Sequence, residues 1–299
     1  MTERLADIGA RIEGVRQLGA VVNAMCGIAA ARVQQARGQL VAVDHYAATI
    51  ATAIGRAAGL VPSIDMGTVG RSSRPAIVIF CAEQGFAGAF SERVLDAAGA
   101  DLATAELFLI GTRGGAIAAE RGVVADWTSA MPSHSAGVPK LADRIAEALY
   151  ARIASGAIDR LEAIFTEGHR GRGAHVERIR MFPLDLTQFP RPMDGNKPLL
   201  NLAPEVLLSE LIADYLHARL CNAALHAFAA ENEARMEAME AARHQIEQQL
   251  GSLQATQRQV RQEEITAEII ELAAGETASQ PARSRTKKQQ FGGSMVSPL

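Results

Sequence analysis

Apolar and small side chains recur at alternating three- and four-residue spacings from Leu5, through Ile8, Ile12, Val15, Gly19, Val22, Cys26 and Ala29, and in the same rhythm to Ile54 and Ala57. No proline interrupts the run. A seven-residue period keeps one face towards a partner helix, so the pattern predicts a single coiled-coil helix over residues 3 to 58, about 80 Å long. Small seam residues such as Ala29, Ala36 and Ala47 let a partner approach closely but bury little area. The rhythm returns at the other end of the chain, from Pro204, which suits a first helical turn, to Ala274 before Gly275. Its seam passes through Leu208, Leu211, Tyr215, Ala218, Leu225 and Ala229 and on to Leu250, Leu253 and Val260, predicting a second helix of roughly 105 Å. Asn222, Asn232, Arg243 and Gln257 fall on this seam, where polar residues fix register and orientation. Beyond about Gln249 the second helix can outrun the first. If its tip has no partner within the chain, Leu250, Leu253, Val260, Ile265 and Ile269 need a surface on another protein.

The middle of the chain has another texture. Short β-rich runs at 76–82, 106–111, 160–167 and 175–184 alternate with helical stretches at 89–99, 114–121 and 137–155. Strand, helix, strand, helix predicts a small α/β domain with a mainly parallel sheet, and the last two runs, joined by GHRGRGA, predict a hairpin. Leu60 to Arg74 and Gln188 to Pro198, rich in Gly, Pro and Ser, read as linkers. The domains are therefore a helix over 1–60, an α/β domain over 75–200, a helix over 204–278 and a basic tail over 279–299 whose composition predicts disorder.

Composition removes several functions. A net charge of −3 over 299 residues gives no electrostatic case for nucleic-acid binding. Cys26, Cys81 and Cys221 are far apart and form no ligand pair, so neither a disulfide framework nor a zinc site is suggested, and no metal is expected. The charged N-terminus does not read as a signal peptide, and no stretch is expected to reach the roughly 18 apolar residues needed to span a bilayer.

Two glycine turns are the candidates for chemistry. EQGFAGAF, from Glu83 to Phe90, follows the first strand, and IGTRGG, from Ile110 to Gly115, follows the second. Bare backbone at the positive end of a helix can cradle a phosphate, and Arg113 can meet an anion; the same glycines also make tight strand-to-helix corners. No G-x-x-x-x-G-K-[ST] occurs, and the seven histidines show no ligand spacing, although His169 and His175 share the hairpin loop. Ser133, His134 and Ser135 beside Pro132 lack the glycine elbow of a nucleophilic serine. A nucleotide-binding α/β enzyme and a free-standing coiled-coil scaffold both remain open on these residues.

The chain also resembles a known family, the gamma subunits of F-type ATP synthases. ARIEGVRQLGAVVNAM, Ala10 to Met25, resembles that family's opening helix; CAEQGFAGAF resembles its S-D-R-G-L-C-G-G-L, and IGTRG its I-G-x-K-G. ENEARMEAMEAA, Glu231 to Ala242, is similar to S-E-x-x-A-R-M-x-A-M-x-x-A, and VRQEEITAEIIELAAG, Val260 to Gly275, to A-R-Q-x-x-I-T-x-E-L-x-E-I-x-x-G. GIAAARVQQARGQ is poorer in charge than the family's lysine- and arginine-rich stretch, and Glu83 and Gln84 stand where Asp-Arg is usual.

The resemblance implies an α/β fold in which two long terminal helices form an antiparallel coiled coil, with a small central Rossmann-like α/β domain as the foot. It implies a noncatalytic rotor shaft without a cofactor, coupling ion flow to ATP synthesis or hydrolysis. The implied partners are the alpha and beta subunits, epsilon and the membrane c-ring, which the chain meets peripherally on the cytoplasmic face of a bacterial inner membrane. Carried over residue by residue, the family's rotor-stator contacts fall on Met25, Arg235, Arg261, Gln262, Thr266 and Glu268. The tail's Arg283, Arg285, Lys287 and Lys288 form a basic cluster suited to a weak, salt-sensitive contact, or to a solvated extension.

Overall fold

The computed structural model describes residues 2–61, 74–169, 173–190 and 199–279. The linkers expected at 60–74 and 188–198 fall mostly outside these residues, and the expected basic tail does so after Ser279. The chain divides into two compact units, one of residues 19–245 and one of residues 1–18 with 246–299. Helix α1, Thr2–Ala58, and helix α5, Pro204–Ser279, contribute to both.

The larger unit holds a five-stranded sheet in the order β3-β2-β1-β4-β5. Its strands are β1 (Arg74–Phe80), β2 (Glu106–Ile110), β3 (Trp127–Ser129), β4 (Ile158–His169) and β5 (Gly173–Phe182). All pairs are parallel except β4 with β5, the expected hairpin. Helices α2 (Phe90–Ala98), α3 (Thr112–Glu120) and α4 (Val138–Ala154) connect them. Both sheet faces are covered, which is why β1 and β2 read as unbroken apolar runs. Val78, Phe80, Phe108, Leu161 and Ala163 face α4 and the terminal helices, packing with Leu141, Ile145, Leu220, Ala224 and Phe228. Ile77, Ile79, Leu107, Leu109 and Ile164 face α2 and α3, against Phe90, Val94, Leu95 and Ile117. The three-residue β3 was not expected. Too short to show an alternation, it is held by its ladder to β2 and by the tilted contact of Trp127 with Phe108, centroids 5.7 Å apart.

Every seam position of α1 from Leu5 to Ala57, and of α5 from Leu208 to Val260, is buried or half-buried. In the larger unit the two helices run antiparallel: Arg37 pairs with Glu233 at 2.5 Å, Asp44 accepts from Asn222 at 2.7 Å, and Ile50, Ile54 and Ala57 pack with Leu208 and Leu211. In the smaller unit Ile8, Ile12 and Val260 form a core with Leu5, Leu250 and Leu253. Three of the five tip residues expected to need a foreign surface are thus satisfied internally. Ile265 and Ile269 are exposed, as are Ile270 and Leu272.

One expectation is corrected. The helix over Arg4–Ala58 contains an 18-residue window of mean hydropathy 1.2 with at most two charged residues, long and apolar enough to cross a membrane by composition alone. An unbroken apolar run is absent there, yet alanine, glycine and valine around isolated polar residues reach the same mean. Only 11% of that window is buried.

Candidate functional site

At Phe80 β1 ends and the chain turns through Cys81 to Ala89 into α2. β1 lies between β2 and β4, so its carboxyl end is the point where connections leave to opposite sides of the sheet, the usual ligand crevice of a doubly wound fold. Here the crevice is filled by α5. The Glu231 carboxylate accepts the backbone N–H of Glu83 at 3.1 Å and of Gln84 at 3.2 Å, as a bound anion would. Arg235, one helical turn on, donates to Glu231 at 2.5 Å, to the Asn232 side chain at 3.1 Å and to the carbonyls of Gly85 and Gln84 at 3.2 and 3.3 Å. The two side chains are 4% and 5% exposed, so water barely competes for this clamp.

The second glycine turn is filled in the same way. Glu83 accepts from Thr112 N at 3.0 Å, from Thr112 Oγ1 at 2.7 Å and from Met131 N at 2.8 Å. Thr112 opens α3, so the carboxylate sits where a helix N-terminus favours negative charge. Gly111 is at φ 107°, and a Cβ there would meet the Cys81 carbonyl oxygen at 2.5 Å; a Cβ on Gly114 would run into the Cys81 side chain. These glycines make a close-packed corner. Arg113 stays exposed on α3.

The six expected contact residues divide between the two units. Met25 is half-buried on α1 in the larger unit. Arg235 is turned inward onto the chain's own turn, with its donors engaged within the protein. Arg261, Gln262, Thr266 and Glu268 are all exposed on α5 in the smaller unit. At 3.6 residues per turn, Arg261 and Glu268 share one face and Gln262 and Thr266 the adjoining one. Thr266 Oγ1 donates to the Gln262 carbonyl at 2.8 Å, while the Arg261 side chain has no partner among the described residues. Sequence reasoning missed the roles of Glu83 and Glu231. The four-residue spacing of Glu231 and Arg235 signals a helix pair, but nothing local signals its burial.

The family model described as ATP synthase matches residues 4–278. The ATP synthase gamma chain of Parafrankia sp. (strain EAN1pec) is 29% identical over 295 residues, covering 93% of this chain and 98% of its own. That of Chlorobium luteolum is 26% identical over 293 residues, covering 92% and 99%. Among solved structures, a chain of the Euglena gracilis mitochondrial ATP synthase (OSCP, F1 and c-ring) superposes with a TM-score of 0.62 at 15% identity, covering 98% of this chain and all of its own; at that identity it speaks for the fold. A match running unbroken through the first helix, the α/β domain and the last helix places this chain in the ATP synthase gamma family.

Proposed function

We propose that the chain is the central rotor shaft of an F-type ATP synthase, a noncatalytic subunit that couples ion translocation through the c-ring to ATP synthesis or hydrolysis by alpha and beta subunits. The observation that carries this reading is the family match over residues 4–278, which takes in both long helices and the domain between them. The structure supports the noncatalytic part in physical terms. Both turns that offer backbone donors to a phosphate already hold a carboxylate of the chain itself. Torque transmission needs elements that resist bending, and α1 and α5 satisfy their backbone hydrogen bonds internally while locking register through Asp44 with Asn222 and Arg37 with Glu233. The α/β domain is the foot, bearing on epsilon and the c-ring. The exposed α5 face with Arg261, Gln262, Thr266 and Glu268 is the contact with the stator subunits, with Met25 on α1 as a second one. The complex is peripheral to the membrane on the cytoplasmic side of a bacterial inner membrane.

Reconstitution with alpha, beta and epsilon subunits tests this. The expected result is a complex containing one copy of this chain, whose ATP hydrolysis drives its rotation. Failure to join the complex, or tight stoichiometric ATP binding by the isolated chain, would overturn it.

A further inference from the structure

On the β4–β5 hairpin Glu167 stands directly opposite His175, and Glu177 follows two residues later on the same face. One ligand atom from each lies within 4.8 Å of the others, with His175 Nε2 2.6 Å from Glu177 Oε1. Four-coordinate zinc with bonds of about 2.0–2.2 Å holds its ligands roughly 3.3–3.6 Å apart, so each group needs to move by less than about 1 Å to close on an ion. A third element approaches the cluster. His226 of α5 lies with Nδ1 3.8 Å from Glu167 Oε1, and its ring packs on Phe165, centroids 5.9 Å apart. The strands set this up: residues 165 and 167 share the face that α5 covers, so the hairpin presents its donors beside a histidine on the helix.

We propose that Glu167, His175 and Glu177 form a divalent-metal site suited to zinc, with His226 as the residue that positions Glu167. An imidazole with two carboxylates and no thiolate suits a late first-row divalent ion, whereas magnesium and calcium favour oxygen-only shells. His175 and Glu177 are the more exposed members, at 45% and 38%, and Glu167 and His226 the more covered, at 27% and 18%. Solvent therefore completes the shell on one side, and protein orients it on the other, as an outer-shell partner of a ligating carboxylate does. Occupancy fastens the hairpin to α5 through the Glu167–His226 contact. The site is separate from the filled crevice and does not depend on the rotor reading.

The experiment is zinc titration of the full chain without a histidine tag, by calorimetry, with X-ray absorption on the loaded protein. One zinc per chain is expected, with nitrogen and oxygen neighbours only. His175→Ala and Glu177→Gln each weaken binding by about tenfold or more, with unchanged circular dichroism and unchanged melting in chelator. His226→Gln weakens binding by about tenfold while leaving the single nitrogen neighbour in the absorption spectrum, which separates positioning from ligation. Zinc bound as tightly by His175→Ala and Glu177→Gln as by the parent, or a shell containing sulfur from Cys26, Cys81 or Cys221, would overturn the site.

Discussion

The two oxygens of Glu231 take the N–H groups of Glu83 and Gln84 and also face the Arg235 guanidinium, so charge and backbone order depend on one side chain. Glu231→Gln removes the negative charge and leaves a buried guanidinium without its counterion. Loss of one partner from a buried pair costs about 3–5 kcal/mol, to be read from urea unfolding. The double variant Glu231→Leu with Arg235→Met removes the stranded charge as well and is expected to recover part of that loss; recovery of none would mean that the orphaned N–H groups carry the cost. The buried thiols give a second prediction. Burial is the largest cause that pushes both Cys81 and Cys221 up to about 12; nearby Glu92 and Glu231 add to it for Cys81, whose bond to Ser91 works the other way, and Asp143 adds to it for Cys221. At about pH 8 the native protein is expected to react with a thiolate-seeking reagent at Cys26 alone, and at all three positions once unfolded. A folded value above the unfolded one keeps its contribution intact below about pH 8.5 and loses it as pH rises towards 12, so the urea midpoint falls on the alkaline side.

Along the helices, the exposed α5 positions separate from the seam. Arg261→Ala with Gln262→Ala keeps a strong helix former at both sites and touches no buried contact, so folding and assembly are expected to persist. ATPase turnover of the reconstituted complex falls if these donors meet the stator; unchanged turnover in an intact complex removes them from the contact face. The helices themselves were legible because a heptad is a local signal. Each seam position inferred from spacing is covered, and the polar Asn222 proved to be a register device, bonded to Asp44 across the pair. The α/β alternation and the hairpin were legible for the same reason. What stayed hidden depends on pairs distant in sequence. Glu231 reaches a turn 148 positions away, β3 exists only through its ladder to β2, and the His175 and Glu177 cluster needs Glu167 across a hairpin and His226 from α5. His175 and Glu177 at strand spacing were the one local hint. The inward direction of Arg235 was hidden as well, because a motif gives the residue and not the direction in which it points.

For the whole molecule, the isolated chain leaves apolar surface uncovered in each unit. Val21 and Ile28 on α1 are each 55% exposed in the larger unit, and Ile265, Ile269, Ile270 and Leu272 on α5 are exposed in the smaller one. Residues 265, 269 and 272 recur at spacings of four and three, on one face of the helix. Such a face on a free chain promotes self-association, and in a complex it is a surface for a partner. Ile269→Glu with Leu272→Glu removes no internal contact of a buried residue and places two charges where apolar surface stood. The isolated variant is expected to remain folded by circular dichroism and to show less concentration-dependent association in sedimentation than the parent. In the reconstituted complex the same variant pushes charge against whatever covers the face, and it is expected to dissociate faster or to slip, with ATP hydrolysis continuing while coupled ion transport falls. A variant that is more soluble alone yet fully coupled in the complex would show that this face turns in water, and the stator contact would then rest on Arg261, Gln262, Thr266 and Glu268 without apolar support.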